Sequence, residues 1–232
     1  MKKLLIIILS VSMLGACRYK TGSGNIVSEK RNAGSFTAIS VGGGFEVELR
    51  HTDNEEILVE ADDNLIKYVH TDVSGGQLKI RLDEINVHDA HLKVYIGAPE
   101  INNIKASAAA SVIVKDELKS AGSIQLTASS GAEIKTHIDA PDVVAEASSG
   151  GELELSGKTR DLKGEVSSGS TIDARELLSE NADVNASSGA SAKVHASVKL
   201  IAKASSGANI TYRGGATDVQ KSQSSGGEVE KE

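Results

Sequence analysis

The chain has 232 residues, with 25 Lys and Arg against 32 Asp and Glu, a single Cys, no Trp and a formal charge of −7. This acidic balance excludes the basic footprint of a nucleic-acid binder and does not suit anionic headgroups, and a lone cysteine excludes a disulfide framework. The only aromatic residues are Phe36, Phe45, Tyr19, Tyr68, Tyr95 and Tyr212, a supply that favours thin, repetitive stacking over a bulky globule.

Met1-Lys2-Lys3 leads into the apolar run Leu4 to Leu9, which Val11, Met13 and Leu14 continue. A basic start, a short apolar core and small residues before a cut site make residues 1–16 a secretory signal, too short to span a bilayer. The plain reading is a soluble exported protein. Leu14-Gly15-Ala16-Cys17, however, resembles the lipobox of bacterial lipoproteins, which implies cleavage before Cys17, acylation of Cys17 and a membrane as partner. Loss of Lys2 and Lys3 leaves 23 basic against 32 acidic residues, a charge of −9. Residues 17–34 are polar, glycine-bearing and without period, and are expected to be a flexible tether.

Residues 35–100 read as a β-rich leading section. Phe45-Glu46-Val47-Glu48-Leu49, Ile57 to Ala61, Gln77 to Leu82 and His91 to Ile96 alternate as strands between turn residues. Leu65 to Val69 is expected to be a short helical turn. The section is expected to cover the first coil of the repetitive region at 101–232, since an uncapped stack of strands presents a row of unpaired donors and acceptors.

Residues 101–232 carry a repeat. Ala-Ser-Ser-Gly-Ala at 128–132 returns in near copies whose glycines lie at 131, 150, 169, 189, 207 and 226, at steps of 19, 19, 20, 18 and 19. Three positions after these glycines stand Ile134, Leu153, Ile172, Ala192, Ile210 and Val229. Seven positions before them stand Ile124, Val143, Leu162, Ala182, Leu200 and Val219. Alternation of small or apolar residues between these points means strands with one face buried. The fold expected is therefore all-β: a parallel β-helix, or solenoid, of ~19-residue coils, continuous with the leading section. Ser129-Ser130-Gly131, Ser148-Ser149-Gly150, Ser167-Ser168-Gly169, Ser187-Ser188-Gly189 and Ser205-Ser206-Gly207 form a structural corner ladder, glycine supplying positive φ. If alternation runs up to the bend, the second serines point inward and bond from coil to coil, while the first face solvent. A degenerate coil precedes these at 104–114, with Ala109 in the glycine place.

The order Phe36 to Val41, Gly44 to Leu49, Val59 to Leu65, Gly76 to Ile80, followed by the serine-glycine coils, resembles the putative auto-transporter adhesin head GIN domain, a domain of unknown function, over residues 35–215. The resemblance implies a β-helix-like fold, lipid-anchored or secreted, in bacteria of the Bacteroidota type. It transfers no binding residues.

Catalysis needs a nucleophile with a base in reach, paired carboxylates or a metal with an open position. No ladder serine has a histidine at a fixed offset. His88, Asp89 and His91 are the nearest approach to a metal set, but lack helical i, i+4 spacing and read as a solvated loop. Asp62-Asp63-Asn64 offers oxygens to a hard cation but reads first as a turn. Glu133, Glu152, Glu154, Glu165 and Asp173 are scattered without repeated pairing. No catalytic residue, metal or cofactor is expected. The function expected is a non-enzymatic, lipid-anchored envelope protein, at the outer membrane, whose solenoid recognises a protein or glycan in the manner of an adhesin or scaffold. The alternative is a polysaccharide lyase or hydrolase on the same fold.

Overall fold

The computed structural model describes residues 19–32, 34–83 and 85–232; the expected signal sequence 1–16 and lipid attachment at Cys17 lie outside them. Apart from a 3-10 turn at Ile66–Tyr68, where a short helical turn was expected, the regular structure is strand. Among the described residues a continuous sheet of 18 strands winds as a β-solenoid of about seven turns.

Each coil has one strand running into the serine-glycine corner and one leaving it. Ser123–Ser129 enters the first such corner and pairs in parallel with the second half of Glu133–Ser148, Ile124 lying beside Val143 and Leu126 beside Ala145. The leaving half of Glu133–Ser148 pairs with Glu152–Val166, Ile134 beside Leu153, and that strand pairs with Thr171–Ala186. Parallel pairing at a constant offset stacks like residues, and the two-residue period keeps one set of columns inside. Of the twelve apolar positions at −7 and +3, all but Val219 are buried. Each large aliphatic among them contributes about 1.5–3 kcal/mol relative to exposure.

The leading section is both solenoid and cap. Ala38–Gly42 and Glu46–His51 make a coil of their own, paired in parallel with Asn103–Ser107 and Ser111–Lys119 on one side. On the other side they pair in parallel with Gln77–Leu82 and Leu92–Ala98. Spatial order thus departs from chain order, because residues 77–98 lie beneath the coil that precedes them in sequence and residues 103–119 lie above it. Antiparallel strands close this end: Val69–Ser74 on Gln77–Leu82, Glu56–Asp62 on Leu92–Ala98, and Ile26–Arg31 on Glu56–Asp62. A reversed strand on the last rung covers its outward donors and acceptors.

The flexible tether expected over 17–34 does not hold for Tyr19–Arg31. Tyr19–Thr21 pairs with Asn86–His88, and Ile26–Arg31 is the outer strand of the cap. Polar composition misled here, because these strands lie at the surface and borrow their partners from distant residues, 26 to 36 positions away for Ile26–Arg31 and 67 for Tyr19–Thr21.

At the far end, the last coil runs Asp218–Gln223 and Glu228–Lys231. By register its core-side positions are Val219, Lys221 and Gln223, beside Leu200, Ala202 and Ala204. Lys221 sits 4.7 Å from the centre of the Tyr212 ring, and Lys221 and Gln223 donate to the Val229 carbonyl at 3.3 and 3.5 Å. Polar side chains thus occupy the columns where the preceding coils place aliphatics.

Candidate functional site

The corner ladder is built by the backbone. Ser130 has φ 53° and Gly131 φ 74°, and the Ala132 N–H donates to the Ser129 carbonyl at 3.2 Å. Two consecutive left-handed residues closed by an i to i+3 bond are the signature of a type I′ turn. The same pair of positive φ recurs at Ser149-Gly150, Ser168-Gly169, Ser188-Gly189, Ser206-Gly207 and Ser225-Gly226, and earlier at Ala108-Ala109 and Gly43-Gly44. Corners are stitched vertically: Gly131 N–H donates to the Ser149 carbonyl, Gly150 to Ser168, Gly169 to Ser188, Gly189 to Ser206 and Gly207 to Ser225, all at 3.0–3.2 Å.

This geometry corrects the expected orientation of the serines. The second serines, Ser130, Ser149, Ser168, Ser188 and Ser206, are exposed, and the first, Ser129, Ser148, Ser167, Ser187 and Ser205, are half-buried. Strand alternation stops at the first serine, because the next two residues are left-handed and swing the chain outward. The inward place belongs to the residue after glycine: Ala132, Gly151, Ser170, Ala190 and Ala208. Only Ser170 brings a hydroxyl there, donating to the carbonyls of Ala147 and Ser167 at 2.8 and 2.7 Å.

Opposite the corners, strands run through a gentler bend whose chemistry changes from coil to coil. Arg160 binds Asp161 at 2.6 Å and Asp142 at 3.2 Å, and Asn181 donates to Asp161 at 2.8 Å. Together these hold the Asp161 carboxyl below the usual range, Arg160 most strongly. The 20-residue coil places its extra residue, Arg175, in a bulge between Asp173 and Glu176. Burial alone would push Asp173 up, but the Arg175 guanidinium at 2.7 Å outweighs it and the carboxyl lies low. Arg213, two coils on, donates to the Arg175 carbonyl and to Glu176.

A groove of about 530 Å³ lies where the first coils end, floored by Leu49, Ala98, Ile101 and Leu118 and rimmed by His51, Glu100, Asp116, Glu117 and Lys119. The Asp116 carboxylate accepts the His51 backbone N–H at 3.0 Å. Nearby, on the outer face, Lys93 sits 2.7 Å from Glu48 and holds that carboxyl low, and the same ammonium lies 5.0 Å from the Tyr95 ring centre.

The supposed metal ligands separate. His88 faces Asp89 at 3.2 Å, whereas His91 lies 4.0 Å from Glu60. Among the described residues no three His, Cys, Asp or Glu side chains group as a metal site. Asp62-Asp63-Asn64 instead grips the N-terminal segment. The buried Asp62 carboxylate accepts the N–H groups of Gly24 and His91, each at 2.7 Å. Asp63 accepts from Ser23 Oγ at 2.6 Å and Asn25 Nδ2 at 2.8 Å, bonds that lower its pKa, and Asn64 donates to the Thr21 carbonyl at 2.9 Å. Gly22 fits this latch because a Cβ there would come within 2.5 Å of Asp62 Oδ2 and the Asp89 carbonyl. An acidic turn read for cations is thus a clamp for peptide donors, which sequence spacing alone does not reveal.

Among the scattered carboxylates, Glu133, Glu152 and Thr171 share one outward column, and Glu154 pairs with Lys135 at 2.6 Å. Glu48, Asp63, Asp161 and Asp173 are held low, whereas Glu228 is raised by its neighbour Glu230 on the exposed last coil.

The profile of the putative auto-transporter adhesin head GIN domain matches residues 35–216. The chain belongs to that family. A search of curated proteins matches none. Among solved structures, a putative adhesin from Bacteroides fragilis superposes with a TM-score of 0.86 at 14% identity, covering 92% of this chain and 100% of that one. A putative lipid binding protein from Parabacteroides distasonis gives 0.74 at 22% identity, with 93% and 100% covered. A putative adhesin from Parabacteroides merdae gives 0.74 at 20%, also with 93% and 100% covered. At these identities the likeness is one of fold, and the family supplies the coarse reading of an adhesin-like surface protein.

Proposed function

We propose that the protein is a lipid-anchored, non-enzymatic envelope component whose solenoid recognises a protein or glycan through its outer faces and bends. The observation that carries this reading is the division of labour within each coil. The inside and the corner repeat, while the outward column Lys135, Glu154, Asp173, Lys193 and the bends around Arg160 and Arg175 change from rung to rung. A frame whose inner columns are fixed leaves its outer positions open to variation, and recognition depends on such positions. The depressed carboxyls Asp161 and Asp173 are ionised acceptors held by arginine, suited to binding and ill suited to general-acid work, which asks for a raised pKa.

The test pairs binding with turnover. Purified protein is offered to a glycan and envelope-protein panel, and the same polysaccharides are assayed for new reducing ends. Saturable binding without new ends supports the proposal; new ends that depend on a carboxylate variant of the groove or bends replace it with a carbohydrate-active enzyme. Labelled fatty acid incorporation, lost in Cys17→Ser, tests the anchor, and protease shaving of intact cells tests surface display.

A further inference from the structure

We propose that the capped end of the solenoid lies against the membrane headgroups, through the exposed Tyr19 and a neighbouring patch formed by Lys20, Lys67 and Tyr68. This rests on the lipid anchor at Cys17 proposed above. The first reason is chain length. Only Arg18 separates Cys17 from Tyr19, and a two-residue span reaches at most about 7 Å, so a lipid on Cys17 holds Tyr19 at the bilayer surface.

The second reason is that nothing past Tyr19 acts as a swivel. Tyr19–Thr21 pairs with Asn86–His88, and the next residues are gripped by the buried Asp62 carboxylate, Asp63 and Asn64. The latch converts a short anchor into a fixed orientation.

The third reason is the chemistry of the surface so presented. Tyr19 is 70% exposed. Lys20 and Lys67 flank the Tyr68 ring, their ammonium groups 4.8 and 5.3 Å from its centre. Tyrosine rings with a polar tip and lysines with apolar stems suit the interfacial layer, where one end of a side chain is apolar and the other wet. Of the acidic groups at this end, Asp63 accepts from Ser23 and Asn25, Asp89 faces His88, and Asp83 faces His70 at 2.6 Å beside Tyr68, whose carbonyl accepts the Asp83 N–H at 3.0 Å. An acidic protein thus turns a small cationic, aromatic patch toward the lipid that anchors it, and directs its long axis away.

The experiment uses the full, acylated chain reconstituted into phosphatidylethanolamine and phosphatidylglycerol vesicles carrying a headgroup quencher. Cys17 is the only native cysteine, so acylation leaves single labels free to report: Asn86→Cys, beside Tyr19, and Ser225→Cys, at the far corner roughly 35–40 Å away at ~4.8 Å per rung. The expected result is severalfold stronger quenching at residue 86 than at residue 225, weakened severalfold by the double change Lys20→Glu and Lys67→Glu while the protein stays on the vesicles. Equal quenching at both sites on vesicle-bound protein overturns the fixed orientation and leaves the anchor intact, as does quenching at 86 indifferent to the charge reversal for the patch. Protein found in the aqueous phase with an unmodified Cys17 by mass spectrometry overturns anchor and orientation together.

Discussion

The two ends of each coil obey different rules. At the serine-glycine corner the constraint is conformational: Ser149 and Gly150 are left-handed, and a Cβ built on Gly150 meets nothing within 4 Å. Toward the bend the constraint is steric: a Cβ on Gly157, also at positive φ, would lie 2.0 Å from the Ile138 carbonyl oxygen of the coil below. The left-handed glycine of the corner is therefore tolerant of size and intolerant of handedness, although the inward residue after it is crowded, a Cβ on Gly151 lying 2.3 Å from the Ala128 carbonyl oxygen, and the bend is both crowded and chemically varied. The corner thus repeats as Ser-Ser-Gly in most coils, while the bend repeats only a glycine, Gly157 and Gly214, each at positive φ and each with its Cβ position 2.0–2.2 Å from a carbonyl oxygen of the coil below.

The largest effect should come from Gly157→Ala, which forces adjacent coils apart; a loss above about 3 kcal/mol is expected, read as a much lower midpoint in urea. A wild-type midpoint would show that the coils slide freely at the bend and would erase the contrast. Gly150→Ala should cost only about 1–2 kcal/mol, the strain of one left-handed alanine, with unchanged far-ultraviolet circular dichroism. In the opposite direction, Ser149→Gly should relieve strain and stabilise by up to about 1 kcal/mol, less the entropy that glycine adds to the unfolded chain; a clear loss would mean that the serine side chain holds the corner.

The smallest effect concerns acid. The corners carry no titratable side chain, whereas Asp161 and Asp173 at the bends have folded pKa values depressed below the ordinary 3.8. Their contribution is complete above the unfolded value and is lost as pH falls through the folded one. Below about pH 4, protection against hydrogen exchange, corrected for the intrinsic slowing of exchange in acid, should therefore fall at 160–161 and 173–175 before 130–131 or 149–150, and Asp161→Asn should remove part of that loss.

The repeat was legible because parallel stacking writes itself into sequence at a constant interval: Ile124 and Ile134 could be placed inside from spacing alone, and Ala109 could be recognised in the glycine place, where its φ is 61°. Spacing does not carry handedness within the corner, so Ser130 and its counterparts were expected to point inward when two left-handed residues turn them out. Nor does it carry partnerships between distant segments. The Asp62 latch joins residues about 30 to 40 positions apart, and the coil at 77–98 slips beneath the one at 38–51 through pairings that leave no local trace. The extra Arg175 was visible as a 20-residue step, but its bond to Arg213 was not.

The last coil, with Lys221 and Gln223 where others place aliphatics, gives the molecule a terminator. Each interior coil offers the next the same core columns and the same stitched corner, whatever chemistry its bend carries. Only a coil of this terminal type ends the sequence of exchanges. Duplication of one 19-residue unit between Gly150 and Gly169 would therefore lengthen the rod by about 4.8 Å and leave both ends untouched, so the height of its far end above the cap is a quantity that evolution, or an engineer, can count out in whole coils.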